Sequence, residues 1–497
     1  MSPTYRDEVS HLRPRHVVTI LYLIGRASTL GLERRSMVFV WMVLSFGCNA
    51  LTGLDGDYQV RGDATATAAT GDVATAGGGG AAGATSGGGD ATTASSSSGP
   101  MTTCPPGLDG EGSEASPCLV TTCEELQAMG LVPAHYRLAN DVDCLATKTW
   151  NGGAGFKPVE GVFGFDGADH TIANLTIDRP TTSSVGLFKS TQSMTGALRG
   201  PLRLTNVNIT GQDDVGAVGG VLWQKGKWPA ETDVIVTGVV RGRERVGGIA
   251  GKVEGIGQPL VKVWFDGEVS GAKRVGGLVG LGAPLSIAES GAHAVVSATG
   301  NGAGGLLGEG SALTRLANTM FVGTVSAVHS AGGIAAGGVK EVDASYAVVT
   351  LKLPKSGSGA GLVYGMENVS KVTRSFAVAR IVVEPAGESA NAGGLVYSSG
   401  FYGSNLKFAD AYWLDFAGDP AVDCLAIWEP KNGLHEGCTA VPESDLGRFY
   451  DATRAPLLSW SFSDKPWSEA CSPAKGYPVL AFLPAPFAKG CVKGLPP

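Results

Sequence analysis

The sequence predicts an all-β fold, a right-handed parallel β-helix or β-solenoid of roughly 28-residue coils with a small N-terminal cap and a disulfide-containing C-terminal cap. Three observations predict it. A glycine-centred motif recurs along the middle of the chain at an almost constant step. A second, strand-like element keeps the same beat. Glycine supplies 75 of the 497 residues, about twice its usual share of roughly 7%.

The glycine motif reads VGGVL from Val218, VGGIAG from Val246, VGGLVG from Val275, AGGLLG from Ala303, AGGIAAG from Ala331, GAGLVYG from Gly359 and AGGLVYS from Ala392. The successive steps are 28, 29, 28, 28, 28 and 33 residues, and VGLF at 185–188 is a weaker earlier copy. The structural repeat glycines are Gly219, Gly220, Gly247, Gly248, Gly276, Gly277, Gly304, Gly305, Gly332, Gly333, Gly393 and Gly394. Two reasons for glycine are expected: a positive φ at a tight coil corner, and side chains that would crowd the coils above and below.

The second element reads TGVVRG at 237, FDGEVSG at 265, HAVVSATG at 293 and FVGTVSA at 321, then YAVVTLKL at 346 and FAVARIVV at 376. Apolar and polar residues nearly alternate and Val, Phe, Tyr and Thr are frequent, which is strand chemistry with period two. The offset from this element to the next glycine motif is 9, 10, 10 and 10 residues, then 13, then 16. Length therefore grows at one place in the coil, near 352–358 and 384–391, as loops do on one face of a solenoid. Those loops are the expected contact surface.

Gly247–Lys252 has the look of a phosphate cradle, but a P-loop needs four residues between its glycines and a Ser or Thr after Lys. Three intervene here, and Val253 follows. The glycine is structural.

The ends read differently. Residues 34–48, RRSMVFVWMVLSFGC, place two arginines before a short apolar run and Cys48. The run is too short for a comfortable membrane span of about 20 residues and suits a signal peptide. Gly47-Cys48 resembles the end of a bacterial lipobox, so 1–48 is assigned as a signal peptide with lipidation at Cys48; Ser45 stands where that motif prefers leucine. A second apolar run, VVTILYLIG at 17–25, suggests that translation starts nearer Leu32 or Met37. Residues 49–103 are dominated by an Ala, Gly, Ser and Thr tract that cannot bury enough apolar surface to order itself, which makes them a linker.

Eight further cysteines, Cys104, Cys118, Cys123, Cys144, Cys424, Cys438, Cys471 and Cys491, cluster at the two ends of the remaining chain. An even number behind an export signal reads as disulfides in an oxidising compartment. Pairing within each cluster is expected, although eight cysteines allow about 105 connectivities. The folded part divides into 104–150 as N-terminal cap and first strand, 151–399 as solenoid and 400–497 as C-terminal cap. Thr122 and Glu125 are placed to cap a short helix at 123–130. Tyr412, Trp413, Trp428, Trp460 and Trp467 are expected in the core of the C-terminal cap.

The VGGLVG cores and the following V.G.VSG strands resemble the GLUG-motif repeats of bacterial surface and secreted proteins, including those beside some IgA-specific metallopeptidases. YRLANDVDC at 136–144, GFKPVEGVFGFDGADHTIANLTIDRP at 155–180 and LLSWSFSDKPWSEACSPAKGYPVLAF at 457–482 extend the resemblance over roughly 120–485. It implies an architecture and is nearly silent on function.

Catalytic motifs are weak. His435-Glu436 begins like a zincin helix, but Thr439 stands where the second zinc histidine is required. The peptidase activity of larger relatives therefore does not transfer. His170 in the first coil is expected to pack or hydrogen-bond. Parallel β-helices include polysaccharide lyases and glycosidases, whose sites need clustered carboxylates with a nearby cation. The candidates for such a site are Asp213, Asp214 and Asp233 with Arg241, Arg243 and Arg245. A formal net charge of -7 argues against a nucleic-acid partner. The expectation is a non-enzymatic, exported surface lipoprotein without cofactor or metal, tethered to the membrane through its lipid alone, that binds a surface protein or glycan. The rival is a carbohydrate-active β-helix enzyme.

Overall fold

The computed structural model describes residues 103–483 apart from 195–197, 224–232, 256–258, 386–389, 399–405, 422, 428–435, 463–465 and 469–475. Cys48, Cys471, Cys491, Trp428 and His435 lie outside the described residues.

Each coil contributes strands to three parallel sheets. One coil runs through Glu244–Gly247, Ala250–Glu254 and Val263–Gly271 before the next begins at Lys273–Gly276. The glycine face stacks Val215, Val246, Val275, Ala303, Ala331, Gly359 and Ala392 in register. The broad face stacks the second element, with Gly238 on Gly267, then Ala294, then Gly323. The parallel β-solenoid is as the repeat predicts.

Alternation decides which side chains turn inward. Ile249, Leu278, Leu306, Ile334, Leu362 and Leu395 form one fully buried column, and Val240, Val269, Val296 and Val325 another. On the broad face the inward column is Phe265, Ala292, Phe321, Ala347, Ala377 and Trp413, large and small side chains mixed. The glycine face answers it. An added Cβ at Gly248 would lie 2.4 Å from the Phe265 ring, one at Gly305 2.3 Å from Phe321 and one at Gly394 2.2 Å from Trp413. The same atoms at Gly248 and Gly305 would sit 2.3 and 2.1 Å from the carbonyl oxygens of Gly277 and Gly333 in the next coil.

Crowding is thus the reason for these glycines, and the expected positive φ is not: none of the repeat glycines lies in the left-handed region. That conformation falls two residues before the first glycine of each turn, at Asp214 (φ 54°), Arg245 (φ 57°) and Arg274 (φ 56°). The register corrects a second detail. Gly219 pairs with Ala250, so the counterpart of Gly247-Gly248 is Gly216-Ala217. Gly219-Gly220 belongs to the next face, where Gly220, Gly251, Gly280 and Gly308 make another column. Their Cβ positions would strike the backbone of Ser184, Asp214, Arg245 and Arg274, between 2.2 and 2.5 Å away.

At the corner entering the broad face, buried hydroxyls take over from glycine. Ser290 Oγ accepts from Val263 N at 3.0 Å, Ser345 Oγ from Thr319 N at 2.9 Å and Ser375 Oγ from Ser345 N at 3.1 Å. They satisfy backbone donors that would otherwise be buried unpaired.

Within 104–150, the segment assigned as N-terminal cap and first strand, Cys118–Val120 pairs in parallel with His135–Leu138. The helix Cys123–Ala128 carries the capping box: Glu125 N donates to Thr122 Oγ1 and Thr122 N to Glu125 Oε2, both at 3.2 Å. Cys104–Cys118 and Cys123–Cys144 are disulfides, and Cys424–Cys438 is a third at the other end. These six pair within their clusters.

Solenoid strands continue past 399, to Cys438–Pro442 on Ala411–Asp415. The chain beyond Pro442 lies along the outer side of the broad face as a strap. Phe449, Trp460, Trp467, Tyr477 and Leu480 form a second apolar core with Trp264, Met320, Tyr346 and Phe376. Tyr346 stacks on Phe376 with centroids 4.9 Å apart, and Phe449 follows at 4.6 Å. The Tyr346 hydroxyl donates to the Pro478 carbonyl, and Trp460 Nε1 donates to the Arg374 carbonyl at 2.8 Å. Trp413, Trp460 and Trp467 are buried and Tyr412 is half-buried.

Candidate functional site

The predicted acidic cluster sits at the left-handed corner that precedes the glycine face. Arg243 grips Asp213 through Nε and Nη2 at 2.9 and 2.6 Å, and Arg245 grips Asp214 at 2.6 and 3.1 Å. Arg274 then bridges Glu244 of the preceding coil and Glu309 of the following one. Hydrogen bonding from Arg243 holds the Asp213 carboxyl below the usual carboxylate range. A bidentate guanidinium occupies both oxygens of its carboxylate, so these residues act as rungs between coils. Lys262 Nζ lies 4.0 Å from Asp233, away from that corner.

Lys252 points outward from the third face and pairs with Glu254. Strand, rather than helix, follows Gly247-Gly248, so the amides there do not converge on a phosphate. His170 Nδ1 is 3.3 Å from Asp141 Oδ1, which also accepts from Thr171 N at 2.9 Å. Thr439 lies in the strand Cys438–Pro442. Among the described residues no group of three His, Cys, Asp or Glu side chains is placed to hold a metal ion.

Residues that sequence reasoning passed over build a polar groove of about 350 Å³ on the outer side of the broad face, in the first coils. Lys148, Asn174, Thr176, Asn206, Asn208 and Arg241 line it. Asn174 and Asn206 both adopt the left-handed region, at φ 60° and 54°, which Asn tolerates better than most residues. That conformation starts an amide chain along the axis. Asn206 Nδ2 donates to Asn174 Oδ1 at 2.7 Å, and Asn174 Nδ2 to Asp143 Oδ1 at 2.8 Å. Arg241 Nη1 donates to Asn208 Oδ1 at 3.1 Å. Each carboxamide has two N–H groups and an oxygen with two lone pairs, so capacity remains for a ligand. The asparagines were visible as ANLT and TNVNIT, 32 residues apart. Their convergence with Lys148 was not.

Beyond the groove the outer side of the broad face is open where the strap does not reach. One row runs Thr176, Asn208, Val239, Glu268, Val295 and Thr324. Its neighbour runs Asp178, Thr210, Arg241, Ser270, Ser297, Ser326 and Lys352. Lys352 leads into the lengthened loop expected at 352–358, whose Ser358 pairs with Asn391 of the next coil. On a third row His293 Nδ1 lies 3.1 Å from Asp266 Oδ1, and that hydrogen bond raises the imidazole pKa. A second cleft, about 410 Å³, lies by Leu131 and Trp150 at the N-terminal end. There the Gln127 amide is spent on the Lys157 backbone and Glu160 pairs with Lys189.

No family model matches the chain. Over 160 residues it is 34% identical to halomucin of Haloquadratum walsbyi, a stretch that is 29% of this chain and 2% of halomucin's length. Among solved structures, a putative immunoglobulin A1 protease from Bacteroides ovatus aligns over 76% of this chain and 95% of its own, with 17% identity and a TM-score of 0.36. The disulfides fit an extracellular or surface protein, because such bonds persist in oxidising compartments.

Proposed function

We propose that this chain is a non-enzymatic, surface-displayed scaffold that binds a glycan or protein along the open side of its broad face. A lipid on Cys48 tethers it to the cell envelope, with 49–103 as the spacer.

One observation carries the reading. Two of the three candidate carboxylates, Asp213 and Asp214, are locked in bidentate pairs with arginine, whereas the open strip presents amides, hydroxyls and cations to solvent, with Asp178 and Glu268 as exposed carboxylates beside them. A stacked solenoid holds such groups at fixed spacing and loses little entropy when a ligand lies along them. The likeness of part of the chain to a protein named halomucin supports a surface setting.

The test is to run the full-length protein through gels containing a panel of polysaccharides, and to assay the same mixtures for new reducing ends and unsaturated products. Retardation without new products is expected. Product formation would replace the scaffold with the lyase or glycosidase reading. For the tether, Cys48→Ser is expected to abolish incorporation of labelled fatty acid and release the protein from membranes. Unchanged labelling would remove the anchor from the proposal.

A further inference from the structure

We infer that the strip from the Lys148–Arg241 groove to Lys352 is a subsite for an extended glycan whose acidic groups are separated by uncharged sugars. The inference rests on the binding-scaffold reading and names its ligand class.

The cations come first. In a chain with a net charge of -7, most cations of the glycine-face corner are consumed by neighbouring carboxylates. Lys148 and Arg241 share one groove and have no carboxylate partner among the described residues. Arg241 keeps guanidinium N–H groups beyond the one given to Asn208. A planar fork with a lysine beside it suits a carboxylate or sulfate. The carboxamides of Asn206 and Asn208 flank it with donors and acceptors in the mixture that sugar hydroxyls need.

Geometry then sets the length. Arg241, Ser270, Ser297, Ser326 and Lys352 stand on five successive strands of one row. Strand spacing is about 4.8 Å, so the two cations are about 19 Å apart. An extended polysaccharide advances by about one coil per sugar. It can therefore place an acidic group at each end and lay the intervening sugars, neutral ones among them, across the serines. Val239 and Val295 in the adjoining row give those sugars apolar edges to rest on, Val295 being 49% exposed.

The acidic residues that face the strip narrow the class. Asp178 heads the same row as Arg241, and Glu268 stands in the adjoining row, both exposed. Every sugar of a uniform polyanion would carry charge past them. A glycan with spaced acids meets both cations and passes a neutral sugar by Glu268.

Hyaluronan, in which a carboxylate alternates with a neutral sugar, is the probe, with polygalacturonate as the uniform polyanion and dextran as the neutral polymer. Affinity electrophoresis of the full chain is expected to show the order hyaluronan, then polygalacturonate, then dextran. Lys148→Gln with Arg241→Gln should weaken hyaluronan binding at least ten-fold, and Lys352→Gln should weaken long oligosaccharides without affecting disaccharides. Lys407→Gln, exposed and distant in the chain, is the control for the loss of one surface cation and should change nothing. Hyaluronan binding that survives the double substitution overturns this site and leaves the scaffold reading intact. Equal binding of dextran, or a matching loss in Lys407→Gln, overturns the acidic-ligand assignment. If no polymer in the panel binds, both the subsite and the glycan arm of the proposed function fall.

Discussion

Replacing Gly248 with alanine separates the two physical reasons that a repeated glycine can have. Gly248 lies outside the left-handed region, so its backbone conformation is open to any residue. If conformation were all that mattered, alanine would stabilise the fold by about 0.4–1 kcal/mol, by reducing the freedom of the unfolded chain. The packing gives the opposite sign. The new Cβ would stand 2.3 Å from the Gly277 oxygen and 2.4 Å from two Phe265 ring atoms, and one of those obstacles is backbone of the next coil. Overpacking of this kind costs about 1–3 kcal/mol, and more where the neighbour cannot move. The control is Gly447→Ala, since no atom lies within 4 Å of the added Cβ there. Urea midpoints of the full chain, followed by far-UV circular dichroism, give the comparison. The expected result is a clear fall for Gly248→Ala and a neutral or slightly raised midpoint for Gly447→Ala. A solenoid can unfold in stages, so the transition of the central coils is the one to read. If Gly248→Ala were neutral or stabilising, the crowding account of the glycine columns would be refuted.

Tyr346→Phe leaves the Pro478 carbonyl without its hydroxyl donor in a buried site, and a loss of about 1–3 kcal/mol in the strap's stability is expected by amide exchange of 477–481; an unchanged exchange rate there would count against the strap contact. Burial raises the Asp419 carboxyl from 3.8 to about 6, against the hydrogen bond from Ile381 N. The native state therefore holds this proton more tightly than the unfolded chain, so the stability it contributes is present below pH 4 and lost as pH rises through about 6. Asp419→Asn should flatten that slope in thermal melts between pH 4 and 7, and a slope identical to the parent's would refute it. Cys424→Ser with Cys438→Ser opens a loop of 14 residues, for which about 3 kcal/mol is expected. The loss should appear in melts of the oxidised protein and vanish when both proteins are reduced.

The repeat was legible because a solenoid writes its geometry into the chain. Each coil returns to the same environment after the same number of residues, so Val246, Val275, Ala303 and Ala331 recur at the interval at which they stack. Inward and outward positions were legible for the same reason, from alternation along a strand. The six described cysteines pair within the two clusters seen in the sequence. Hydroxyl rungs such as Ser290 and Ser345 left no such mark, because a buried serine at a corner looks like any loop serine until its backbone partner is known.

The sequence by itself determined the coil length, the strand faces and the glycine positions, since these are properties of neighbours one coil apart. Tertiary structure alone decided why the glycines are there, where the solenoid ends and what covers its flank. A glycine chosen to avoid a ring and a glycine chosen for its φ are the same letter, and only the Phe265 ring beside Gly248 tells them apart. The strap's contact between Tyr346 and Pro478 joins residues 132 positions apart with no period relating them. The groove at Lys148 and Arg241 has the same origin: stacking brings together side chains that composition lists separately.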